Sequence, residues 1–260
     1  MTFWAIGGNS SGINVINLKD YGKRLITGIG GFLGRSLAAR LIQEKYKVYG
    51  IGRHSANLRN VTLYKADILD EQEMIKLSKD KDHVVHLAAV TEYKNLRDFP
   101  MESLKINIMG TFNMLNAFLK SKAKSFIYPS SGKIYGEPEY LPYDESHPVN
   151  PKTNLGKTKK ICEDLISYFS TSLNKYFLVL RIFNVYGNGQ KEDFLIPTIL
   201  TQVKNKKREI TLGDIESRRD YIYVEDVMDC FSKMMKKNKN GLQIYNLGSG
   251  VSYSARDIVN

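Results

Sequence analysis

Short runs of β-branched and aromatic residues alternate along this chain with longer stretches whose apolar positions recur every three or four residues. Residues 24–27, 48–51, 61–65 and 83–87 are such short runs and read as strands. Residues 31–45 and 71–79 carry the helical spacing, with one apolar stripe to bury. The alternation continues through a long helix at 101–120, a strand at 125–128, a helix at 157–170 and a strand at 177–182. Strands separated by helices pair in parallel through right-handed crossovers. The expected fold is therefore α/β, a doubly wound parallel sheet (Rossmann) with helices on both faces.

Beyond residue 184 the rhythm changes. Helices at 194–204 and 224–235, with short strands at 209–212 and 242–246, suit a small lobe interleaved with the end of the sheet. Residues 253–260 read as the start of a further helix. The expected organisation is an extension at 1–22, a sheet domain at 23–183 and a small lobe at 184–260. The Gly-, Ser- and Asn-rich residues 1–20 match no motif and read as an arm or an extra edge strand.

The charge of +11 changes this picture little. A basic chain suits phosphate-rich ligands or nucleic acid, but these lysines are dispersed, so a solvated surface is the simpler reading and no nucleic-acid partner is expected. The densest groups, at 204–208 and 236–239, read as a turn and a helix end, where cations complement the helix dipole. No apolar run is long enough to cross a bilayer, and the first residues lack the basic start of a signal peptide. Cys162 and Cys230 sit in separate helical patterns and read as reduced thiols, which fits a cytoplasmic location. No His/Cys spacing suggests a metal site. His86, in an apolar strand, reads as a packed core residue, and His147 as part of a loop.

Chemistry enters at Thr27-Gly28-Ile29-Gly30-Gly31-Phe32-Leu33-Gly34, which follows the first strand and opens the first helix. Gly28 permits a tight turn. Gly31 lets a pyrophosphate approach the backbone at the positive helix end, and Gly34 lets helix and strand pack closely. In this context the GxxGxxG spacing predicts a bound dinucleotide, with Phe32 and Leu33 in the same cradle. An acid about twenty residues further on would select the free ribose hydroxyl of NAD. Gly52 stands there, followed by Arg53. A guanidinium suits the extra 2′-phosphate of NADP, so NADP is favoured over NAD, against the plainer reading of Arg53 as a solvent-facing charge. Asp67 either accepts from an adenine amino group or caps the next helix, and Ile68 follows it.

Further motifs stand in one order. They are Val84-Val85-His86-Leu87-Ala88-Ala89, Asn107-Ile108-Met109-Gly110-Thr111-Phe112-Asn113 and Tyr128-Pro129-Ser130-Ser131-Gly132-Lys133-Ile134-Tyr135-Gly136. Later come Arg181-Ile182-Phe183-Asn184-Val185-Tyr186-Gly187, Arg218-Arg219-Asp220-Tyr221-Ile222-Tyr223-Val224-Glu225-Asp226 and Tyr245-Asn246-Leu247-Gly248-Ser249-Gly250. With the glycine turn they make the chain from Lys23 to about Gly250 resemble the extended short-chain dehydrogenases/reductases. The likeness is to the NAD-dependent epimerase/dehydratase family, and to UDP-galactose 4-epimerases in particular.

The resemblance implies an NAD(P)-binding domain at 23–183, a substrate lobe at 184–260, a nucleotide-diphosphate sugar as substrate and a homodimer. Family members continue past residue 260, so the lobe is expected to be truncated. Leu87, Ala88, Ala89 and Asn107 would flank the coenzyme, and Lys159 would hold the nicotinamide ribose. Ser131 would be the catalytic hydroxyl that meets the reacting sugar oxygen. Asn184 and Arg219 would meet the substrate diphosphate, although Arg219 has Asp220 and Asp226 beside it as possible ion-pair partners.

The chain departs from the family at one place. In Asn150-Pro151-Lys152-Thr153-Asn154-Leu155-Gly156-Lys157-Thr158-Lys159 the lysine is kept, while Leu155 stands where the family has its proton-transferring tyrosine. A nearby ammonium favours phenolate, which is why a Tyr–Lys pair works. Leucine neither donates nor accepts a proton. Three explanations stay open: another group such as Tyr135, Tyr93 or a water held by Ser131; a binding protein without turnover; or a variant of an active enzyme or the product of a damaged gene. Gly132 and Lys133 replace the acids of the dehydratase branch, leaving epimerase first and NADPH-dependent keto-sugar reductase second.

Overall fold

A computed structural model of the chain describes residues 22–54, 58–171, 174–206, 209–237 and 239–260. The expected extension at 1–22 therefore lies almost wholly outside the described residues. Seven parallel strands form the main sheet in the order β3-β2-β1-β4-β5-β6-β9. They are β1 Lys23–Thr27, β2 Lys47–Gly52, β3 Val61–Lys65, β4 His83–His86, β5 Ser125–Ser131, β6 Tyr176–Ile182 and β9 Gly241–Leu247. The order runs outward from β1 to β3 and resumes on the other side of β1 at β4. This reversal opens a crevice at the carboxyl ends of β1 and β4, where ligands of such sheets bind.

Strand alternation sends successive side chains to opposite layers. Ile26, Val85, Ile127, Leu178 and Leu180 face α1 (Phe32–Gln43) and α8 (Val224–Met235), meeting Leu37, Leu41, Met228 and Phe231. Leu25, Val84, Phe126, Phe177 and Val179 face α2 (Glu71–Ser78), α5 (Gly110–Leu119) and α6 (Asn154–Ser170), meeting Met74, Met114, Phe118 and Ile166. Each layer buries a contiguous apolar cluster, so the central strands read as largely hydrophobic runs.

Two expectations change. The helix expected at 101–120 is interrupted. It runs as α4 (Pro100–Leu104), a π turn (Lys105–Met109) and α5. A further helix, α3 (Tyr93–Asp98), precedes it. Residues 209–212 form no strand. Instead Thr211 exchanges two hydrogen bonds of 2.9 Å with the side chain of Gln202 in α7 (Leu195–Lys204), which satisfies its backbone without a ladder.

A second, three-stranded sheet was not anticipated. It is ordered β10-β8-β7, from Ser252–Tyr253, Arg219–Tyr223 and Asn184–Tyr186. The last residues form α9 (Ala255–Val259), opened by a capping box of Ser254 and Asp257. Both cysteines are free thiols, Cys162 buried and Cys230 half-buried. Among the described residues no helix is long and apolar enough to cross a membrane.

Candidate active site

The turn after β1 is shaped by close backbone contacts. Gly28 has φ +67°, and a Cβ there would meet Ala88 N at 2.7 Å. A Cβ on Gly34 would meet Gly28 O at 2.4 Å, so α1 lies directly on the turn. Gly31 is the N-cap of α1 and supplies no side-chain cap, which leaves the first-turn amides for an anion.

These elements enclose an elongated cleft of about 420 Å³. Gly28, Gly30, Gly31 and Arg35 line it from the turn, Gly52, Arg53 and His54 from the end of β2, and Asp67 and Ile68 from beyond β3. Leu87, Ala88, Ala89 and Val90 line it from beyond β4. The structure thus brings together most of the coenzyme residues expected from the sequence. Arg35 is an addition; its position directly after Gly34, on the exposed side of the first helical turn, was the available signal.

Four expected residues are engaged within the protein itself. Phe32 and Leu33 pack their side chains against the core beneath α1, so only their backbone amides lie at the helix start. Asn107 is buried and does not line the cleft. Its Oδ1 accepts from Val90 N at 2.7 Å and its Nδ2 donates to Val90 O at 3.0 Å, so it shapes the wall from behind. Asp67 is not the cap of α2. That role belongs to Asp70, which accepts from Glu73 N at 3.0 Å, while Asp67 Oδ1 accepts from Leu69 N at 2.9 Å.

Ser131 ends β5, where its Oγ accepts from Lys133 N at 3.2 Å and closes a short 3₁₀ turn, Gly132–Ile134. Helix α6 begins against this turn. Thr153 caps it by accepting from Gly156 N at 3.1 Å, and a Cβ on Gly156 would meet Lys133 O at 2.5 Å. The contact brings Leu155 and, one turn later on the same face, Lys159 beside the strand end. Lys159 is buried. Its Nζ donates to Pro129 O at 2.6 Å and stands 4.4 Å above the Tyr128 ring, and burial lowers its pKa to about 8.

The two tyrosines weighed as alternatives to Leu155 take other places. Tyr135 is fully buried. Its hydroxyl donates to Asn246 Oδ1 at 2.6 Å and accepts from Arg181 Nη1 at 2.9 Å, and burial raises its pKa. Arg181 is fixed in turn by the buried carboxylate of Glu163 at 2.9 Å. Tyr93 is 74% exposed at the start of α3.

In the second sheet, the register places Asn184 opposite Tyr221, and alternation puts Arg219 and Tyr221 on the same face of β8. Asn184 Nδ2 donates to Asp220 O at 2.8 Å. Arg219 donates to Arg218 O at 2.7 Å and forms no ion pair among the described residues. Its neighbour Asp220 is taken by Ser249 and Gly250, whose amides donate to the carboxylate at 2.8 Å. His86 is a core residue with both ring nitrogens bonded. His147 is a buried organiser of its loop, accepting from Glu139 N at 3.1 Å. No cluster suited to a metal ion occurs among the described residues.

Strand order, glycine turn and crevice together define a Rossmann-type α/β protein with a cleft at its switch point. The sequence profile of the NAD dependent epimerase/dehydratase family matches residues 24–248, and the chain belongs to that family. A Methanocaldococcus jannaschii relative is 32% identical over 245 residues, covering 90% of this chain and 79% of its own. The GDP-6-deoxy-D-mannose reductase of Pseudomonas aeruginosa is 29% identical over 244 residues, covering 90% and 77%. Among solved structures, UDP-glucose 4-epimerase of Thermotoga maritima with UDP-glucose has a TM-score of 0.83 at 27% identity, covering 91% of this chain and 80% of that one. UDP-glucuronic acid 4-epimerase of Bacillus cereus, in complex with UDP-glucuronic acid and NAD, has a TM-score of 0.80 at 28% identity, covering 91% and 81%.

Proposed function

We propose that the chain binds a pyridine nucleotide along the glycine-turn cleft and a nucleotide-diphosphate sugar across the face carrying Asn184 and Arg219, as an epimerase-type protein. The cleft carries this reading. Its glycine turn packs backbone against backbone at the cleft floor, an uncapped helix start suits a pyrophosphate, and apolar Ile68, Leu87 and Ala88 suit an adenine ring. A bound nicotinamide coenzyme supplies the hydride acceptor and donor for a sugar carbon.

The chain's own groups divide the remaining tasks. Ser131 offers a hydroxyl to the reacting sugar oxygen, and Lys159 offers a cation to the coenzyme ribose. Arg219, free of a carboxylate partner among the described residues, suits the substrate diphosphate. Arg53 and Arg35 both line the ribose side of the cleft without an acid at Gly52, which favours NADP over NAD. Exposed Met101, Met109, Ile161 and Tyr168 on the α4–α5 and α6 faces support a homodimer, and the two free thiols suit a reducing cytoplasm.

The proton transfer lacks its usual group. Leu155 presents an apolar surface, and the Tyr135 hydroxyl is committed to Arg181 and Asn246. Loss of general acid–base help costs about 10²–10⁴ in rate. This favours, as a second reading, binding of coenzyme and nucleotide sugar without turnover. NADPH-dependent reduction of a keto-sugar is the catalytic alternative if Arg53 and Arg35 select NADP. Calorimetry with oxidised and reduced NAD and NADP tests the coenzyme site. A panel of UDP-, GDP-, CDP- and dTDP-sugars, run against a Lys159→Ala control, tests turnover. Product above the control establishes an enzyme, tight binding without product establishes the silent form, and no binding of any coenzyme rejects both.

A further inference from the structure

Residues 88–90, which form one wall of the cleft, are held from behind by part-buried hydrogen bonds that lead to a buried network. Ala88 N donates to Thr27 Oγ1 at 3.1 Å, and Val90 N donates to Asn107 Oδ1 at 2.7 Å. Between these anchors lie His86 and Thr111. The backbone carbonyl of Asn107 can only accept, so the Thr111 hydroxyl gives it its proton across 2.6 Å. Cys162 Sγ donates to the same carbonyl at 3.3 Å, beside the π turn that interrupts the helix.

With its proton committed, Thr111 Oγ1 meets His86 Nε2 at 3.1 Å as an acceptor, which requires Nε2–H. A neutral imidazole carries one proton, so Nδ1 accepts from the Thr27 hydroxyl at 2.7 Å. The oxygen of Thr27 is then left to receive Ala88 N–H. Burial, with the Lys159 ammonium as a second cause, lowers the His86 pKa to about 3, so the ring is neutral. Its plane is held by Tyr128 and Phe126, with centroids at 6.0 and 6.1 Å.

We propose that His86, fixed as the Nε2–H tautomer, is a positioning residue for the coenzyme. It joins the glycine turn to the helix segment 107–111 and so sets where the wall at 88–90 stands. The Ala88 amide lies where a Cβ on Gly28 would meet it at 2.7 Å, so displacement of this wall alters the cleft directly. The proposal rests on the coenzyme reading above. What it adds is that cleft shape depends on the proton arrangement of a residue that need not touch the ligand.

The experiment uses the whole chain labelled with ¹⁵N-histidine. Long-range ¹H–¹⁵N correlation without coenzyme, assigned with His86→Phe, reads the tautomer. The expected result is Nε2–H with Nδ1 as a hydrogen-bonded acceptor, unchanged from about pH 5 to pH 8. Fluorescence titration with NADH and NADPH is then repeated on Thr111→Val, which keeps side-chain shape and removes the relay, and on Thr111→Ser, which restores it. Thr111→Val is expected to stay folded by circular dichroism and to weaken the coenzyme that the wild type binds by about tenfold, with Thr111→Ser within about twofold of wild type.

A protonated or Nδ1–H ring, or unchanged affinity in folded Thr111→Val, overturns the relay. Loss in Thr111→Val without rescue by Thr111→Ser overturns it too, since packing alone then explains the loss. Should the wild type bind neither coenzyme, the cleft reading fails and takes the coenzyme role with it. The tautomer, measured without ligand, distinguishes that result from a failed relay.

Discussion

Lys159 Nζ donates to the backbone carbonyl of Pro129 across 2.6 Å. The bond holds an ammonium in a nearly closed site whose remaining partner is the face of Tyr128. One helical turn earlier Leu155 adds apolar surface and no acceptor. Burial therefore dominates, and it pulls the lysine down to about 8, below its ordinary 10.5.

That shift predicts a stability profile. The folded chain holds this proton more weakly than the unfolded chain, so between pH about 8 and 10.5 the unfolded state binds more protons. The group's unfavourable contribution is fully present below about 8 and is relieved as pH rises through that window. Urea melts of wild type and Lys159→Met at several pH values measure it. The expected outcome is a difference between the two that narrows with rising pH in favour of the wild type. Parallel profiles would refute a depressed lysine.

Placing a phenol at residue 155 should reveal how complete the rest of the site is. Leu155→Tyr places a proton-transferring group one turn before Lys159 on the same face of α6. If Ser131, Lys159 and the cleft are intact, product from the preferred nucleotide sugar should rise by about 10²-fold or more. A product assay at saturating coenzyme checks it. An unchanged rate would locate a defect beyond residue 155.

The parallel sheet and the glycine turn were legible because each has a local signature. A short apolar run such as Phe177 to Leu180, flanked by helical patterns, suits a strand covered on both sides, and Gly34 is demanded by contact with the turn itself. The second sheet was hidden because β7 and β10 are only three and two residues long, too short for a period to show. The fate of Tyr135 was equally unreadable. Its partners Arg181 and Asn246 are 46 and 111 residues away, and only the packing of β6 and β9 beside β5 brings them to its hydroxyl. The π turn at 105–109 left no composition signal, since its sequence is an ordinary helical one.

The buried Arg181–Glu163 pair gives a third prediction. Arg181 donates to both carboxylate oxygens and to the Tyr135 hydroxyl, all within the interior. Removing one charge leaves the other unpaired, at a cost of about 3–5 kcal/mol. Arg181→Met should therefore destabilise strongly, and Arg181→Met with Glu163→Leu should recover much of the loss. Tyr135→Phe should cost about 1–3 kcal/mol by leaving the Asn246 acceptor and an Arg181 donor unsatisfied. Denaturant melts decide between this and a chemical role for Tyr135, which would instead lower turnover at unchanged stability.

The proposed choice of NADP rests on charge at the end of β2. Gly52 offers no carboxylate to a ribose diol, whereas Arg53, exposed at the cleft rim, and Arg35, at the first turn of α1, are both cationic. A 2′-phosphate would gain charge-assisted hydrogen bonds there, each worth about 1.5–3 kcal/mol, while NAD would gain none. Arg53→Ala should weaken NADPH by about tenfold or more and leave NADH within about twofold. Gly52→Asp should reverse the preference by placing an acid at the diol and repelling the phosphate. The NADPH preference should also fall with added salt, because the arginines are solvent-exposed and screened. Titrations with both reduced coenzymes at low and high ionic strength measure all three effects. Equal affinity for NADH and NADPH in the wild type would return Arg53 to the role of a solvated surface charge.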